Sequence, residues 1–279
     1  MRVNELYAVK VDIIPTAPLC FRQIPFSMIH IRTYPFMPPT SLAGWLERVR
    51  RLSNGEKVPF RATIPQQSGE LIKWQADDDS ESEVRIFLDM QRYCCLGAQP
   101  VGRFTTFTTW RQGPKSFTHG RFSALRKPIG TDIKDEQFQL HRWEYLLCER
   151  MQGMVLALCK DDLRQIQHTI AWGLNIGKEG YAYISAVSDP FTLQSGQVKA
   201  IPSTFLCMTD AMKAPRCEYH PLYFFKPKPY TGPEGYWFEM FARTPDEVEL
   251  DYWFNHDHAV YIPQATVMRN RYFWWEDQK

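Results

Sequence analysis

The sequence predicts a mixed α+β fold in which two strand–helix–strand units flank a β-rich insertion. In the first unit, residues 6–14 alternate apolar and polar side chains, and an amphipathic helix follows at residues 41–52. In the second unit, an apolar strand at 153–159 precedes a helix carrying Leu163, Ile166 and Ile170, and residues 181–187 return as a strand. The order β-α-β-β-α-β is that of a ferredoxin-like (RRM-like) sheet with its helices on one face.

The first helix is predicted by the proline-rich segment before it and by the helical spacing of its apolar residues. Thr40 can cap the helix, because Pro38 and Pro39 hold the preceding chain extended. The core stripe is expected to consist of Leu42, Trp45, Leu46, Val49 and Leu52. Gly44 leaves one turn without a side chain, and residues 13–46 contain no Asp or Glu. Free N–H groups beside a bare glycine predict a site for a phosphate or for a closely packed backbone.

Residues 60–136 are predicted to form an inserted β-rich arm, with a turn at Gly113-Pro114. No Asp or Glu occurs between Met90 and Thr131. The cations of this window are Arg92, Arg103, Arg111, Lys115, Arg121, Arg126 and Lys127. The aromatic residues interleaved with them include Phe104, Phe107, Trp110, Phe117 and Phe122. The pattern predicts an electropositive surface that the net charge of +2 conceals; the plainer alternative is a solvated basic hairpin whose aromatics belong to the core.

The last third of the chain is predicted to be β-rich and aromatic. Short strands are expected at 222–225, 236–241, 250–254, 259–262 and 271–275, paired in antiparallel fashion. The predicted division of the chain is therefore a ferredoxin-like core at 1–59 and 137–189, the arm at 60–136, and a C-terminal region at 190–279 packed on the core.

Composition narrows the functional classes. With 279 residues, 44% of them hydrophobic, the chain can bury a large core. It has no apolar run of eighteen residues and no signal-peptide core, so we expect a cytoplasmic protein without a membrane segment. Seven cysteines without Cys-x-x-Cys spacing favour reduced thiols over disulfides or zinc.

The common catalytic motifs are missing from the sequence. It contains no phosphate loop, no dinucleotide-binding glycine pattern, no nucleophile elbow and no His-Glu-x-x-His, so no cofactor and no metal are expected. His256-Asp257-His258 offers only two ligands and is predicted to be a surface turn. Asp161-Asp162 is predicted to cap a helix.

Three segments, in order, resemble the Cas-five subunit family of CRISPR interference complexes, a branch of the RAMP superfamily. The first is Phe21-Arg22 followed by Thr33-Tyr34-Pro35 and by Pro38-Pro39-Thr40-Ser41 with Gly44. The second is 141–146, His-Arg-Trp-Glu-Tyr-Leu, followed by the apolar run 154–158. The third is 163–185, with a glycine turn that contains Lys178. The likeness covers about residues 6–187; the spacer between Arg22 and Tyr34 and the last ninety residues depart from the family pattern.

The resemblance implies a non-catalytic RNA-binding subunit of a type I CRISPR surveillance complex (Cascade), which acts in antiviral defence. Such a subunit grips the 5′ handle of the crRNA and caps the backbone filament, and its β-rich arm is the thumb of the RAMP fold. The implied partners are the crRNA 5′ handle, a filament-forming RAMP backbone subunit and the large subunit of the complex. Target DNA is reached only indirectly, through the complex, and no membrane is involved.

The RNA site is expected to have a core side and an arm side, because single-stranded RNA is held by cations on phosphates and by aromatic faces on bases. The core side is predicted to comprise Arg22, Thr40, Ser41, Gly44 and Lys178. The predicted phosphate contacts of the arm are Arg103, Arg111, Lys115, Arg121 and Arg126, with Trp110 or Phe117 stacking on a base.

Two alternatives remain open from the sequence. A RAMP endoribonuclease that processes precursor crRNA without metal needs an acid and a base, for which Tyr34, Lys115 and His119 are candidates. Outside CRISPR systems, the Trp- and Tyr-dense C-terminal third favours an aromatic-rich β module that binds a carbohydrate or a protein.

Overall fold

A computed structural model of the chain describes residues 5–24, 30–56, 92–114, 138–177, 180–225 and 236–268. The strands in these ranges are β1 (Leu6–Pro15), β2 (His30–Ile31), β3 (Cys94–Pro114), β4 (Phe138–Ala157), β5 (Gly173–Ile176), β6 (Gly180–Val187), β7 (Phe191–Ala200), β8 (Leu206–Cys207), β9 (Glu218–Phe225), β10 (Tyr236–Arg243), β11 (Val248–Asn255) and β12 (Val260–Pro263). The helices are α1 (Pro39–Ser53), α2 (Lys160–Gln167), α3 (Met208–Ala211) and α4 (Gln264–Met268).

The predicted α+β fold class is confirmed, and its core is ferredoxin-like. β3, β4, β1 and β6 lie side by side in that order, with every neighbour antiparallel. α1 lies in the connection between β1 and β3, and α2 lies in the connection between β4 and β6, which is the β-α-β-β-α-β arrangement. Side chains of both helices share one core cluster with Val9, Val11 and Ile13 of β1, so both helices cover the same face.

α1 begins earlier than its sequence suggests and without a side-chain cap. Pro38 is the N-cap, Pro39 starts the helix and Thr40 lies within the first turn, so the prediction that Thr40 caps the helix is wrong. Proline is favoured at this first position because its missing N–H would have no intrahelical partner. The predicted stripe is buried apart from Leu52, which is half-buried. The side chain of Leu42 approaches to 3.1 Å of the position that a Cβ on Gly153 would take, so α1 rests directly on β4.

A buried carboxylate fastens α1 to the start of β3. Glu47 is 2% exposed and accepts hydrogen bonds from Arg50 at 2.9 Å, from Arg51 at 3.0 Å and from the Tyr93 hydroxyl at 2.8 Å. Burial raises the pKa of Tyr93 well above its usual value, which keeps the hydroxyl protonated as a donor. A carboxylate buried this deeply is stable only while those donors are present.

β3 enters the core sheet before it becomes the arm. Its first residues, which the predicted division placed in the arm, pair with β4 at Cys94 and Cys95, and both side chains are buried. A bulge then puts Gly97 at a φ of +84°, and Ala98 exchanges backbone hydrogen bonds of 2.9 and 3.0 Å with Met37. A Cβ on Gly97 would lie 2.6 Å from the Met37 carbonyl oxygen. This bulge therefore joins the proline-rich segment before α1 to the edge of the sheet.

The C-terminal strands extend and cover the core. β7 pairs with β1 and β11, and β12 follows at the edge, whereas β8, β10 and β9 form a second sheet. All these pairings are antiparallel, as predicted. Trp253, Val260 and Ile262 pack with Leu6 and Ala8, on the sheet face opposite to the helices. The predicted strand at 271–275 lies outside the described residues.

The second sheet meets the proline-rich segment at a buried aromatic junction. The Tyr34 hydroxyl donates to the carbonyl oxygen of Pro221 in β9. His220, 4% exposed, lies edge-on to Phe36 with ring centroids 4.9 Å apart. Its Nε2 is 3.4 Å from a carboxylate oxygen of Glu218. Burial lowers the pKa of His220, with Glu218 opposing the shift and Arg243 adding to it.

Substitution of Gly97 tests the bulge. Gly97→Ala would place a Cβ on a left-handed backbone and against the Met37 carbonyl oxygen. It should therefore lower the free energy of unfolding by about 2–4 kcal/mol. Gly102 is the matched control, because its φ is +81° but nothing lies within 4 Å of its Cβ position; Gly102→Ala should cost only about 1–2 kcal/mol. Urea unfolding of the three proteins measures the difference, and equal losses would contradict the contact with Met37.

The pH dependence of stability tests the aromatic junction. Because the folded pKa of His220 lies below 6.5, the unfolded chain binds the proton more tightly. The stability contributed by neutral His220 is thus complete above pH 6.5 and is lost as the pH falls. Melting temperatures measured from pH 7.5 to 5.5 should fall more steeply for the wild type than for His220→Gln. Parallel curves would show that His220 is not held neutral by its surroundings.

Candidate nucleic-acid interface

The arm is the distal part of the β3–β4 ladder. β1 pairs with β4 only from Met151 to Ala157, whereas β3 and β4 remain paired from Phe104–Cys148 to Pro114–Phe138. Eleven residues of β3 thus extend beyond β1, a length of roughly 35 Å at strand spacing. The predicted turn at Gly113-Pro114 is wrong, because both residues still pair within the ladder.

The described part of the arm exposes aromatic and hydroxyl side chains. Trp110 is 65% exposed and Phe104 is 44% exposed, so neither belongs to the core. Phe107 is 37% exposed and stacks on Tyr145 across the ladder, with centroids 5.6 Å apart. The threonines between these rings are at 105, 106, 108 and 109. The alternative in which the arm's aromatics are core residues therefore does not hold for these three rings.

The cations of the arm are only partly described. Arg103 is exposed beside Gly102, in a bulge between the Val101–Arg150 and Phe104–Cys148 pairs. The backbone of Arg111 pairs with His141, and its side chain lies outside the described atoms. The predicted site residues Lys115, Phe117, His119, Arg121 and Arg126 lie outside the described residues, so their roles stay predictions.

The core side of the predicted site begins at an antiparallel bridge between Arg22 and Thr33. Arg22 pairs with Thr33, and the Gln23 N–H bonds to the carbonyl oxygen of Arg32 at 3.0 Å. Thr33 is buried, and its hydroxyl accepts the Phe21 N–H at 2.9 Å. Arg32 is exposed next to the half-buried Arg22. Sequence reasoning missed Arg32, although it lies directly before Thr33 in the first segment of the resemblance.

The start of α1 is open to solvent. Thr40 is exposed, Ser41 is half-buried, and the first-turn amide that bonds backwards is that of Leu42, to Pro38 at 3.0 Å. Nothing in the described chain lies within 4 Å of a Cβ built on Gly44. The close neighbour that Gly44 predicted is therefore not found among the described residues.

The glycine turn packs on the segment that leads to Arg22. A Cβ on Gly177, whose φ is +60°, would lie 2.6 Å from the carbonyl oxygen of Cys20, and Gly180 is equally tight against Leu19. α1 contacts β5, the strand before the glycine turn, because Trp45 Nε1 donates a hydrogen bond to the Leu174 carbonyl oxygen at 3.3 Å. The fold therefore brings together α1, the Arg22 segment and the glycine turn, although Lys178 itself lies outside the described residues.

Tyr34 does not have the properties of a catalytic acid or base. Its side chain is 2% exposed, its hydroxyl is bonded to the Pro221 carbonyl, and burial raises its pKa well above the usual value. The structure thus contradicts the candidate role of Tyr34 in RNA cleavage. Lys115 and His119 lie outside the described residues.

The acidic and histidine clusters do not form a metal site. Within the described ranges, no group of three His, Cys, Asp or Glu side chains is placed to hold a metal ion. His256 and His258 lie in the turn between β11 and β12, as predicted, where His258 stacks on Phe191 at 3.9 Å. Asp161 lies in the first turn of α2 and pairs with Arg164 at 2.8 Å. The predicted capping by Asp161-Asp162 is wrong, since Cys159 is the N-cap and no side chain caps the helix.

The helices differ from one prediction, and their lengths can be compared with that of a membrane span. α2 ends at Gln167, so Ile170 lies beyond the helix and is 42% exposed, contrary to its predicted place in the core stripe. Among the described helices, none has both the length and the apolarity needed to cross a bilayer.

Comparison with known proteins gives only distant likenesses. No protein-family model and no curated protein sequence matches the chain. Similar solved structures include a CRISPR protein from Archaeoglobus fulgidus, at 11% identity and a TM-score of 0.35, with 87% of this chain and 86% of that chain covered. A chain of the type III-B Cmr-beta bound to cognate target RNA and AMPPnP is 11% identical at a TM-score of 0.40, with 86% of each chain covered. A second Cmr-beta structure, bound to cognate target RNA, is 12% identical at 0.38 with the same coverage. With TM-scores below 0.5 these likenesses carry no functional weight, and the assignment depends on the chain's own residues.

Proposed function

We propose that this chain is a non-catalytic RNA-binding subunit of a type I CRISPR surveillance complex, which grips the 5′ handle of the crRNA and caps the backbone filament. The observation that carries the RNA-binding part is the arm, which extends from a ferredoxin-like sheet with Trp110 and Phe104 in solvent and with the exposed Arg103 next to Phe104 in sequence. The CRISPR assignment and the subunit type rest on the resemblance of the three sequence segments.

Binding to single-stranded RNA follows from the chemistry of the two sides. Exposed rings such as Trp110 provide stacking faces for bases, and arginines and threonine hydroxyls donate to phosphate oxygens. The core side lies around the proline-rich segment that precedes α1. It consists of Arg22, the start of α1 and the glycine turn. An RNA strand held between these sides would contact backbone amides as well as cations.

The partner subunits fit the remaining exposed surfaces. The three-stranded sheet points His220, Leu222 and Phe241 into the protein and leaves Phe238 57% exposed on its outer face. Aromatic surface of this kind is a frequent anchor of protein–protein interfaces. We assign this outer face to a neighbouring subunit of the complex, in the cytoplasm, with target DNA contacted only through the assembly.

Each of the two alternatives loses some of the residues on which it rested. The endoribonuclease loses Tyr34 as a catalytic group, which leaves only Lys115 and His119 as candidates. The alternative of a carbohydrate- or protein-binding module loses Tyr252 and Trp253 as ligand contacts, because they are buried at 0% and 9% exposure. The side chains of Trp237, Trp274 and Trp275 lie outside the described atoms.

Salt-dependent binding tests the arm. The affinity for an RNA that carries the repeat-derived 5′ handle should fall with rising salt, because phosphate contacts release counterions. Arg103→Ala should weaken binding and reduce the slope of log K against log salt by about 0.7, the value for one phosphate of a single strand. Fluorescence anisotropy between 50 and 300 mM salt, as a rough range, measures both quantities.

The control for this measurement is Lys213→Ala, which removes an exposed cation from the loop after α3. Its slope and affinity should equal those of the wild type. Equal binding by the wild type and by a combined Arg103→Ala, Arg111→Ala, Arg121→Ala variant would contradict a role of the arm in RNA binding.

Incubation with precursor crRNA tests the absence of catalysis. The purified protein in EDTA should yield no discrete cleavage product from a labelled repeat. Positioned acid–base groups contribute about a hundredfold or more each, so any real cleavage would be lost in His119→Ala and Lys115→Ala. A single cut that disappears in these variants but persists in Tyr34→Phe would establish the endoribonuclease instead.

A further inference from the structure

Three side chains form a transverse row across the strands in the distal half of the described arm. Trp110 of β3 lies directly opposite Arg142 of β4, and Arg142 is paired in turn with His30 of β2. Directly paired residues of neighbouring strands project from the same face of a sheet. With strands about 4.8 Å apart, the row spans roughly 10 Å from Trp110 to His30.

The neighbouring row shows which face is exposed. Thr109, Trp143 and Ile31 are the next paired residues, and Trp143 and Ile31 are buried in one cluster at 4% and 1% exposure. Successive residues of a strand alternate between faces, so Trp110, Arg142 and His30 point to the opposite, solvent side. Their exposure agrees, since Trp110 is 65% exposed, Arg142 is exposed and His30 is half-buried.

The acid nearest to the row along β4 is engaged elsewhere. Glu144 follows Arg142 by two residues on the same face, opposite Thr108. Its carboxylate is half-buried and accepts the backbone N–H of Thr33 at 3.0 Å. The hydrogen bond holds the Glu144 carboxylate toward Thr33, on the side of Arg142 away from Trp110 along the row.

We propose that this row is a binding subsite for one nucleotide of single-stranded RNA, with the base stacked on Trp110 and the adjacent phosphate held by Arg142. His30 supplies a further polar contact at the end of the row. The assignment rests on the proposed function for its ligand class, and it adds Arg142 and His30 as specific contacts. Nucleic acid is favoured over a protein ligand because the β3 strand that carries Trp110 has threonines and Arg103 and no acid.

The experiment separates the two halves of the subsite. Trp110→Ala should weaken binding of the handle RNA by about 5- to 150-fold, the range for loss of one base stack, with an unchanged salt slope. Trp110→Phe should recover most of the affinity, because a smaller ring still stacks. Arg142→Gln should reduce the salt slope by about 0.7, as expected for one phosphate of a single strand. Because both residues hold the same nucleotide, the double variant should lose less affinity than the product of the single losses.

The controls distinguish this subsite from the wider function. Lys213→Gln should leave the affinity and the salt slope unchanged, and melting curves should show that each variant is folded. If the wild type binds RNA and Trp110→Ala and Arg142→Gln bind equally well, the subsite is wrong and the proposed function stands. If these variants keep RNA binding and lose only association with a partner protein, the row is a protein contact. A wild type that binds no RNA would overturn both proposals.

Discussion

The antiparallel ladder between β3 and β4 is the interaction on which the rest of the structure depends. At one end, Cys95 and Val155 lie in the core beneath the helices; at the other, Trp110 and Arg142 stand in solvent. The same hydrogen-bonded pair is therefore half of a ferredoxin-like sheet and the whole described arm. Because the arm shares its strands with the core, a shift in register would move every exposed ring to the opposite face.

Two contacts hold the predicted core side of the site in place relative to this ladder. The Gly97 bulge lets Met37 pair with Ala98, which sets where the proline-rich segment ends and α1 begins. The buried Glu47 then fastens the middle of α1 to Tyr93, just before β3. The two contacts are made to the first residues of β3 and to the residue before it, so the turn at Gly44 is attached to the strand that continues into the arm. The surface assembled in this way is largely preformed, which would lower the entropy cost of the proposed RNA binding.

Much of the core and a part of the site could be predicted from the sequence. The stripe of Leu42, Trp45, Leu46 and Val49 identifies α1 because helix burial follows a period of 3.6. The alternation of Val9, Val11 and Ile13 identifies β1 for the equivalent reason. The stretch without Asp or Glu around Trp110 predicted an exposed basic surface, because the charges of a short stretch can be read from the sequence without knowledge of the fold. Arg142 was not among the predicted RNA contacts, because its place beside Trp110 and His30 depends on strands that are distant in sequence.

The sequence alone determined the strand and helix order on either side of the arm, the buried stripe of α1 and the run of cations and aromatics in the arm, because these depend on residues close together in the chain. Only the tertiary structure decided that Tyr34 is bonded to Pro221, that Gly97 is closely approached by another segment whereas Gly44 is not, and that Trp110, Arg142 and His30 share a row. Each of these depends on pairing across long loops, and a residue's own propensity contains no information about which distant backbone will lie beside it.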